Sequence, residues 1–258
     1  MSYVTKSVNF KNKIGFNLVG NYTIPKIKPP FPVIIICHGF SSSKDSKSYT
    51  VLEKMLLPRG VAVFRFNYRG HGKSGGDWKD LTISGVVDDI KVAIDFLLRE
   101  YGKFINRNKI ILYGGSFSGL PVVKVASENK RIKYLICRSG VIDFQGRLER
   151  LYNIKTWKEK GYIKTSTDQK KLSKFDYKLY LDSQKFDGFQ LGKKISIPTL
   201  LLHGTGDITV KPYHSVKLFN KLSSKDKELK LIKGVDHWYY GKRREMQKTI
   251  VNWIEKKL

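Results

Sequence analysis

The chain has 258 residues, a length that fits one large domain better than two small ones. With 41% hydrophobic and 28% charged residues, it has the composition of neither a disordered nor a fibrous protein. Its 49 lysines and arginines against 22 aspartates and glutamates give a formal net charge of +27. Because these charges are spread along the chain without a nucleic-acid motif, we interpret them as a solvated basic surface and expect no specific nucleic acid. An anion-binding role that salt would weaken stays open.

The two cysteines, Cys37 and Cys137, are too few for a disulfide framework, and each lies in or beside an apolar run. Residues 1–10 lack the apolar core of a signal peptide, and the longest apolar run, 33–37, is far too short to span a bilayer. We therefore expect a cytoplasmic protein without a membrane span. The sequence is compatible with a homodimer but does not fix the oligomeric state.

The predicted elements begin with a β-hairpin over residues 4–10 and 16–25, joined by a turn around Asn12 and Gly15. Short apolar runs follow, and such runs are typical of strands buried on both faces of a parallel sheet. The runs are 33–37, 61–66, 109–113, 132–137, 198–202 and 229–232.

The stretches between these runs have apolar residues three or four positions apart, which predicts helices. The clearest helix covers about 82–101, with Thr82 or Ser84 as its cap and Gly102 after its end. Further helices are predicted at about 46–57, 117–129, 212–222 and 242–257. This alternation predicts an α/β fold with a mostly parallel, eight-stranded sheet and helices on both faces.

Residues 143–195 interrupt the alternation. The segment is rich in lysine and aromatic residues, and it is too long for a simple connection between two strands. We interpret it as a cap inserted over the C-terminal edge of the sheet, within a single domain of residues 1–258. The alternative is a helical excursion that has no role in a site.

The strongest chemical signal is an apolar strand that runs into Gly114-Gly115-Ser116-Phe117-Ser118-Gly119 and then into a helical stretch. A nucleophile elbow needs a strand, a tight turn and a helix, with small residues two positions before and after the nucleophile. Ser116 meets this condition with Gly114 and Ser118. Ser118 does not, because Leu120 is too large. Ser116 is therefore the candidate nucleophile.

A serine hydroxyl needs a base to take its proton, and a carboxylate to hold that base. His237 follows the last strand, where ligands bind in open α/β folds, and is the candidate base. His203 lies in a strand end and is expected to be structural. His214 lies on an amphipathic helix and is expected at the surface.

Asp207 follows the preceding predicted strand and is the candidate acid, with Asp236 and Asp143 as rivals. The oxyanion of an acyl-transfer intermediate needs backbone N–H groups. The N–H of Phe117 follows the nucleophile, and the N–H of Phe40 lies in the His38-Gly39-Phe40 loop after the first parallel strand. These two groups are the predicted oxyanion hole, and His38 is expected to brace the loop.

Together these motifs, with residues 67–74 (NYRGHGKS), resemble the α/β-hydrolase superfamily along nearly the whole chain. The HGF loop and the RGHGKSGG segment are similar to carboxylesterases of the cinnamoyl and feruloyl esterase group and to serine aminopeptidase-like hydrolases. The resemblance implies a lid formed by residues 143–195, and neither a metal nor an organic cofactor. It also implies a structural role for His71. A serine nucleophile disfavours dehalogenase, epoxide hydrolase and dienelactone hydrolase functions.

We therefore expect a serine esterase that acts on a small-molecule ester through Ser116, His237 and Asp207. An aminopeptidase or amidase with the same triad is the first alternative. A catalytically silent binding protein with the same fold is the second, because fold does not fix function.

Overall fold

The computed structural model describes residues 3–166 and 172–258. The strands are β1 (Tyr3–Lys11), β2 (Asn17–Pro25), β3 (Phe31–Cys37), β4 (Ala62–Phe66), β5 (Ile105–Gly115), β6 (Tyr134–Arg138), β7 (Tyr162–Ser166), β8 (Leu172–Asp176), β9 (Thr199–Gly204) and β10 (Lys227–Ile232). The helices are α1 (Lys47–Leu56), α2 (Ile83–Tyr101), α3 (Gly119–Glu128), α4 (Phe144–Leu151), α5 (Ile154–Lys160), α6 (Lys178–Ser183), α7 (Gly188–Gly192), α8 (Tyr213–Lys221) and α9 (Arg243–Lys257).

Eight strands form one sheet in the order β1-β2-β4-β3-β5-β6-β9-β10. β2 pairs antiparallel with β1 and β4, whereas every later neighbouring pair is parallel. The predicted mostly parallel, eight-stranded sheet is therefore confirmed. Because β3, β5, β6, β9 and β10 run in one direction, the loops that follow them meet at one edge of the sheet.

Alternating side chains of the central strands supply two apolar cores, one on each face of the sheet. Ile35 of β3 and Leu112 of β5 belong to the core that includes α2 and α3. Ile34 and Ile36 lie in the opposite core, which α1 and α9 cover. Strands buried on both faces need continuous apolar sequence, which is why the short runs were a reliable signal. Within the described residues, no helix is both long and apolar enough to cross a membrane.

Residues 143–195 form what is called here the cap segment, which connects β6 to β9. It contains helices α4 to α7 and an antiparallel hairpin of β7 and β8, which the sequence pattern did not predict. Trp157 is fully buried in this segment and donates a hydrogen bond to the carbonyl of Phe175, 3.2 Å away. The Asp182 carboxylate accepts hydrogen bonds of 2.7 Å from the N–H and the hydroxyl of Ser84. These bonds attach the cap segment to the first turn of α2.

A buried ion pair anchors the glycine-rich loop after β4 to α2. The Arg69 guanidinium donates to both carboxylate oxygens of Asp89, at 3.0 and 2.7 Å, and Asn12 donates to the same carboxylate at 2.9 Å. Asp89 is fully buried. Removing one member of such a pair leaves an uncompensated charge in the core, and this is strongly destabilising.

We predict that Asp89→Ala lowers the free energy of unfolding by about 3–5 kcal/mol, because the Arg69 charge would stay buried without a partner. The neighbouring Asp88→Ala is the matched control. It breaks only the exposed pair with Lys13 and should cost about 1 kcal/mol or less. Urea denaturation of both variants measures the difference, and equal losses would show that the Arg69–Asp89 pair does not stabilise the fold.

Candidate active site

Ser116 lies on the tight turn between β5 and α3. Its backbone has φ of +54°, a left-handed conformation that is unusual for a residue other than glycine. A Cβ atom on Gly114 would lie 2.5 Å from Cγ2 of Val122, so only glycine lets strand and helix approach this closely. This arrangement matches the predicted elbow and leaves Ser116 partly exposed at the sheet edge.

The side chains of Ser116, His237 and Asp207 form one chain of hydrogen bonds. The Ser116 hydroxyl lies 2.8 Å from Nε2 of His237. Nδ1 of His237 lies 2.7 Å from Oδ2 of Asp207. The structure thus brings together the three residues that the sequence pattern selected, although 121 positions separate Ser116 from His237.

The loops that carry Asp207 and His237 are locked together by their backbones. The N–H of Gly206 donates to the carbonyl of Val235 at 3.0 Å, and the N–H of Gly234 donates to the Thr205 hydroxyl at 2.8 Å. A Cβ atom on Gly204 would lie 2.1 Å from the Val235 carbonyl oxygen, so a larger residue would push the loops apart. The distance between the acid and the base therefore depends on these glycines.

Asp207 is buried and hydrogen-bonded through both carboxylate oxygens. Oδ1 accepts from the N–H groups of Thr209 and Val210 at 3.0 and 2.7 Å, and His203 lies 3.3 Å from Oδ2. Burial alone would raise the pKa of Asp207, but the hydrogen bonds from His203 and His237 hold this pKa well below its usual range. Asp207 is therefore an anion at neutral pH.

His237 is largely buried, and burial lowers its pKa below the ordinary histidine value, although the hydrogen bond with Asp207 acts in the opposite direction. The nearby Arg138 charge lowers the pKa further. The guanidinium of Arg138 donates to the His237 carbonyl at 3.2 Å and to the Tyr113 hydroxyl at 3.1 Å. The imidazole is thus neutral at pH 7 and can accept a proton from Ser116.

The two predicted oxyanion donors lie beside Ser116. Among the described residues, the N–H of Phe40 makes no hydrogen bond. Phe117 occupies the first turn of the helical stretch after the elbow, where N–H groups have no acceptor within the helix. The adjacent N–H of Gly39 is held by the Tyr49 hydroxyl at 3.1 Å. Both free N–H groups are therefore available to a negatively charged oxygen at Ser116.

The structure places the rival residues elsewhere. Ser118 is fully buried, 2.8 Å from the Tyr68 hydroxyl. Asp143 caps α4 by accepting from the N–H of Gly146 at 2.9 Å. Asp236 accepts from the N–H of Tyr240 at 3.0 Å. None of these contacts involves His237.

The remaining histidines are buried. His38 bonds to the Gly39 carbonyl at 2.8 Å, and burial lowers its pKa to about 3, so it braces the loop as a neutral ring. His71 is likewise buried against His38. The expectation that His214 lies at the surface is wrong. Its Nδ1 accepts from the N–H groups of Ile142 and Asp143 at 3.3 and 3.2 Å, which supports the backbone at the start of the cap segment.

Among the described residues, two cavities meet at Ser116. The first, called the apolar pocket, has a volume of about 100 Å³. Its walls include Phe117, Phe144, Leu148, Tyr152, Phe175 and Leu179. The second, called the basic cleft, has a volume of about 280 Å³. Its walls include Lys47, Arg138, Arg147, His237, Trp238 and Arg243. Arg147 lies between the two cavities and lines the apolar pocket as well. Sequence reasoning singled out neither Arg138 nor Arg147, because basic residues are frequent throughout this chain.

Residues 48–258 match the model of the prolyl oligopeptidase family. This match covers most of the chain, which therefore belongs to the prolyl oligopeptidase family. The family and the fold place it among the serine hydrolases.

Individual proteins and structures agree with this class. The Escherichia coli K12 protein YfhR is 26% identical over 236 residues, which cover 90% of this chain and 73% of YfhR. Dipeptidyl-peptidase 4 of Giardia intestinalis is 21% identical over 87% of this chain and 30% of its own length. The structure of Est1E from Butyrivibrio proteoclasticus with ferulic acid has a TM-score of 0.83 and 22% identity, with 96% of this chain and 98% of Est1E covered. The predicted α/β-hydrolase fold is confirmed.

We predict that the His237 imidazole titrates below the ordinary value of about 6.5, because burial disfavours its charged form. In Asp207→Asn the pKa should fall further, by about one to three pH units, because the charge that favours imidazolium is removed. NMR titration of the histidine ring protons measures both values, and the signal missing from His237→Gln provides the assignment. A midpoint at or above 6.5 in the wild type would contradict this account of the site.

Proposed function

We propose that the chain is a carboxylesterase whose nucleophile is Ser116, whose base is His237 and whose acid is Asp207. The observation that carries the proposal is the hydrogen-bond chain from Ser116 through His237 to Asp207, with distances of 2.8 and 2.7 Å. Nucleophile, base and orienting carboxylate in this order are the arrangement that acyl transfer requires.

In the first step, the Ser116 oxygen bonds to the ester carbonyl carbon while Nε2 of His237 takes the hydroxyl proton. The N–H groups of Phe40 and Phe117 stabilise the oxyanion of the tetrahedral intermediate. The bond from the carbonyl carbon to the alcohol oxygen then breaks, and His237 gives its proton to that oxygen. The alcohol leaves, and the acyl group stays on Ser116.

In the second step, water attacks the acyl carbon and gives a proton to His237. The bond between Ser116 and the acyl carbon breaks, the serine oxygen recovers the proton from His237, and a carboxylic acid is released. Throughout, the anionic Asp207 keeps Nδ1 of His237 protonated and stabilises the imidazolium.

The cap segment supplies most of the apolar pocket and, in this proposal, acts as the lid over the acyl group. Phe175 lies 5.1 Å from Phe40, measured between ring centroids, so the cap segment reaches the loop that bears one oxyanion donor. An engineered cavity of about 150 Å³ binds benzene. A pocket of about 100 Å³ that is open to solvent is therefore suited to a short acyl chain or part of one ring.

Amide hydrolysis is the second candidate, because the family is named for a peptidase and a dipeptidyl-peptidase is among the relatives. An enzyme that recognises the free amino end of a peptide needs a negative group to bind the ammonium. Among the described residues, no aspartate or glutamate lines the apolar pocket or the basic cleft. This absence from the two cavity walls favours the ester over an aminopeptidase substrate.

We predict that the wild type hydrolyses 4-nitrophenyl esters, with kcat/KM highest for acyl chains of up to about six carbons, because longer chains exceed the apolar pocket. Ser116→Ala should lower kcat by at least about 10⁴-fold, because it removes the nucleophile. The exposed Ser223→Ala is the matched control and should leave kcat unchanged. Liberated nitrophenol measured across acetate, butyrate, octanoate and laurate tests this.

The same assay distinguishes the alternatives. A feruloyl ester extends the series to an aromatic acyl group, and a butyryl 4-nitroanilide tests amides. If Ser116→Ala keeps the wild-type activity, Ser116 is not the nucleophile. For each substrate, the enzymatic rate is divided by the uncatalysed rate. A larger ratio for the anilide than for the ester would favour the amidase. A wild type that hydrolyses neither would favour the binding protein.

A further inference from the structure

Within the described residues, four cations face the basic cleft, and none of them forms an ion pair. In the part of the chain that the structure describes, Lys47, Arg138, Arg147 and Arg243 lie more than 4.0 Å from every carboxylate, since no ion pair includes them. Buried arginines elsewhere in the fold do have partners. Arg65, for example, lies 2.9 Å from Glu53.

The arginines of the basic cleft donate to neutral oxygens instead. Arg138 bonds to the His237 carbonyl at 3.2 Å, and Arg243 bonds to the Trp238 carbonyl at 2.9 Å. Arg147 bonds to the Thr209 carbonyl. These contacts hold the guanidinium groups in place but leave their charge uncompensated. A guanidinium held in this way is suited to a planar or tetrahedral oxyanion.

The other polar groups of the basic cleft are also suited to an anion. The wall carries the hydroxyl groups of Ser41, Ser42, Ser46 and Ser48, and no aspartate or glutamate of the described residues lines it. The positive charge continues outside the cleft, where Arg244 and Lys248 line a groove between α1 and α9 that shares Lys47 and Arg243 with it. Clefts lined by one sign of charge concentrate ligands of the opposite sign.

The position of His237 decides which half of the ester enters the basic cleft. His237 gives a proton to the oxygen of the leaving alcohol, so that oxygen must lie near Nε2. His237 lines the basic cleft and is absent from the wall of the apolar pocket. The alcohol therefore lies in the basic cleft, and the acyl group lies in the apolar pocket under the cap segment.

We propose that the substrate is an ester of an apolar acyl group with an alcohol that carries an oxyanion, a carboxylate or a phosphate. This inference rests on the proposed esterase function. Lys47 and Arg243 bind the anion at the exposed mouth of the cleft, and Arg138 and Arg147 face it from the half-buried wall. Hydrolysis breaks the bond between the acyl carbon and the alcohol oxygen, so the oxyanion leaves with the alcohol product.

The test compares 4-nitrophenyl butyrate with 3-carboxy-4-nitrophenyl butyrate. For each ester, the enzymatic kcat/KM is divided by the rate constant for hydrolysis by hydroxide, and this ratio is the corrected rate. The wild type should prefer the carboxylated ester by about tenfold or more in kcat/KM. The double variant Lys47→Gln/Arg243→Gln should lose most of this preference, while kcat/KM for the neutral ester stays within about twofold. Added salt should lower kcat/KM for the carboxylated ester only, because screening weakens steering.

The double variant Lys26→Gln/Lys28→Gln removes two exposed charges that precede β3, at the opposite edge of the sheet. It is the matched control and should leave the preference unchanged. Equal corrected rates for the two esters in the wild type would overturn the inference and leave the esterase function intact. An equal loss on both esters in Lys47→Gln/Arg243→Gln would also overturn it.

Binding of the carboxylated leaving alcohol, 5-hydroxy-2-nitrobenzoate, to Ser116→Ala separates this inference from the function. Suppose that the wild type hydrolyses neither ester but that Ser116→Ala binds the anion. If adding Lys47→Gln/Arg243→Gln to Ser116→Ala then abolishes binding, the anion site is supported and the esterase proposal fails. Competition by benzoate against inorganic phosphate distinguishes the two oxyanions. If neither anion competes and the leaving alcohol does not bind, the proposed site is wrong.

Discussion

The turn at Ser116 is the constraint on which the candidate site depends. The C-terminal half of β5, residues 110–115, is buried, and α3 begins four residues after the strand ends. Gly114 lets the two elements approach to a distance that a Cβ atom would block. The approach forces Ser116 into a left-handed backbone conformation. A strained conformation persists only where the surrounding packing holds it in place. Here the two apolar cores on either side of the sheet do so. The turn places the hydroxyl at the sheet edge where the loops after β9 and β10 meet.

The second requirement is a stable negative charge behind the imidazole. Asp207 keeps its charge in a buried position because Thr209, Val210 and His203 surround its carboxylate with hydrogen-bond donors. Backbone bonds between the Asp207 and His237 loops then fix the distance between the two residues. The scaffold fixes the geometry of this site before a substrate binds. Groups that are already in position need no rearrangement during the reaction, and this lowers the reaction barrier.

Much of the fold could be predicted because buried parallel strands and amphipathic helices have distinct periods. The runs at 33–37 and 198–202 and the helix at 82–101 lie within one or two residues of β3, β9 and α2. β5 begins four residues before the predicted run, since its polar residues Asn106 to Asn108 interrupt the apolar signal. The hairpin of β7 and β8 was missed because each strand has only five residues, which are too few to show an alternation of apolar and polar positions.

The candidate site was predictable where chemistry demands a particular residue in a particular place. Glycine-flanked Ser116, and Asp207 and His237 after successive strands, satisfy such demands. The prediction for His214 was wrong because the cap segment covers the face of α8 that carries it. The periodicity of a helix shows which face packs on the sheet but not whether another segment covers the opposite face. Arg138, Arg147 and Arg243 form no ion pair within the described residues. This could not be recognised from sequence, because pairing depends on tertiary neighbours and basic residues are common throughout the chain.

Covalent labelling with a fluorophosphonate tests the central claim most directly, since this reagent modifies a serine only when a base activates its hydroxyl. We expect one adduct, located on Ser116 by peptide mass spectrometry and absent from Ser116→Ala. Labelling of Asp207→Asn should be much slower, because the asparagine no longer stabilises the imidazolium. A folded wild-type chain that stays unlabelled, or an adduct on another serine, would contradict the account.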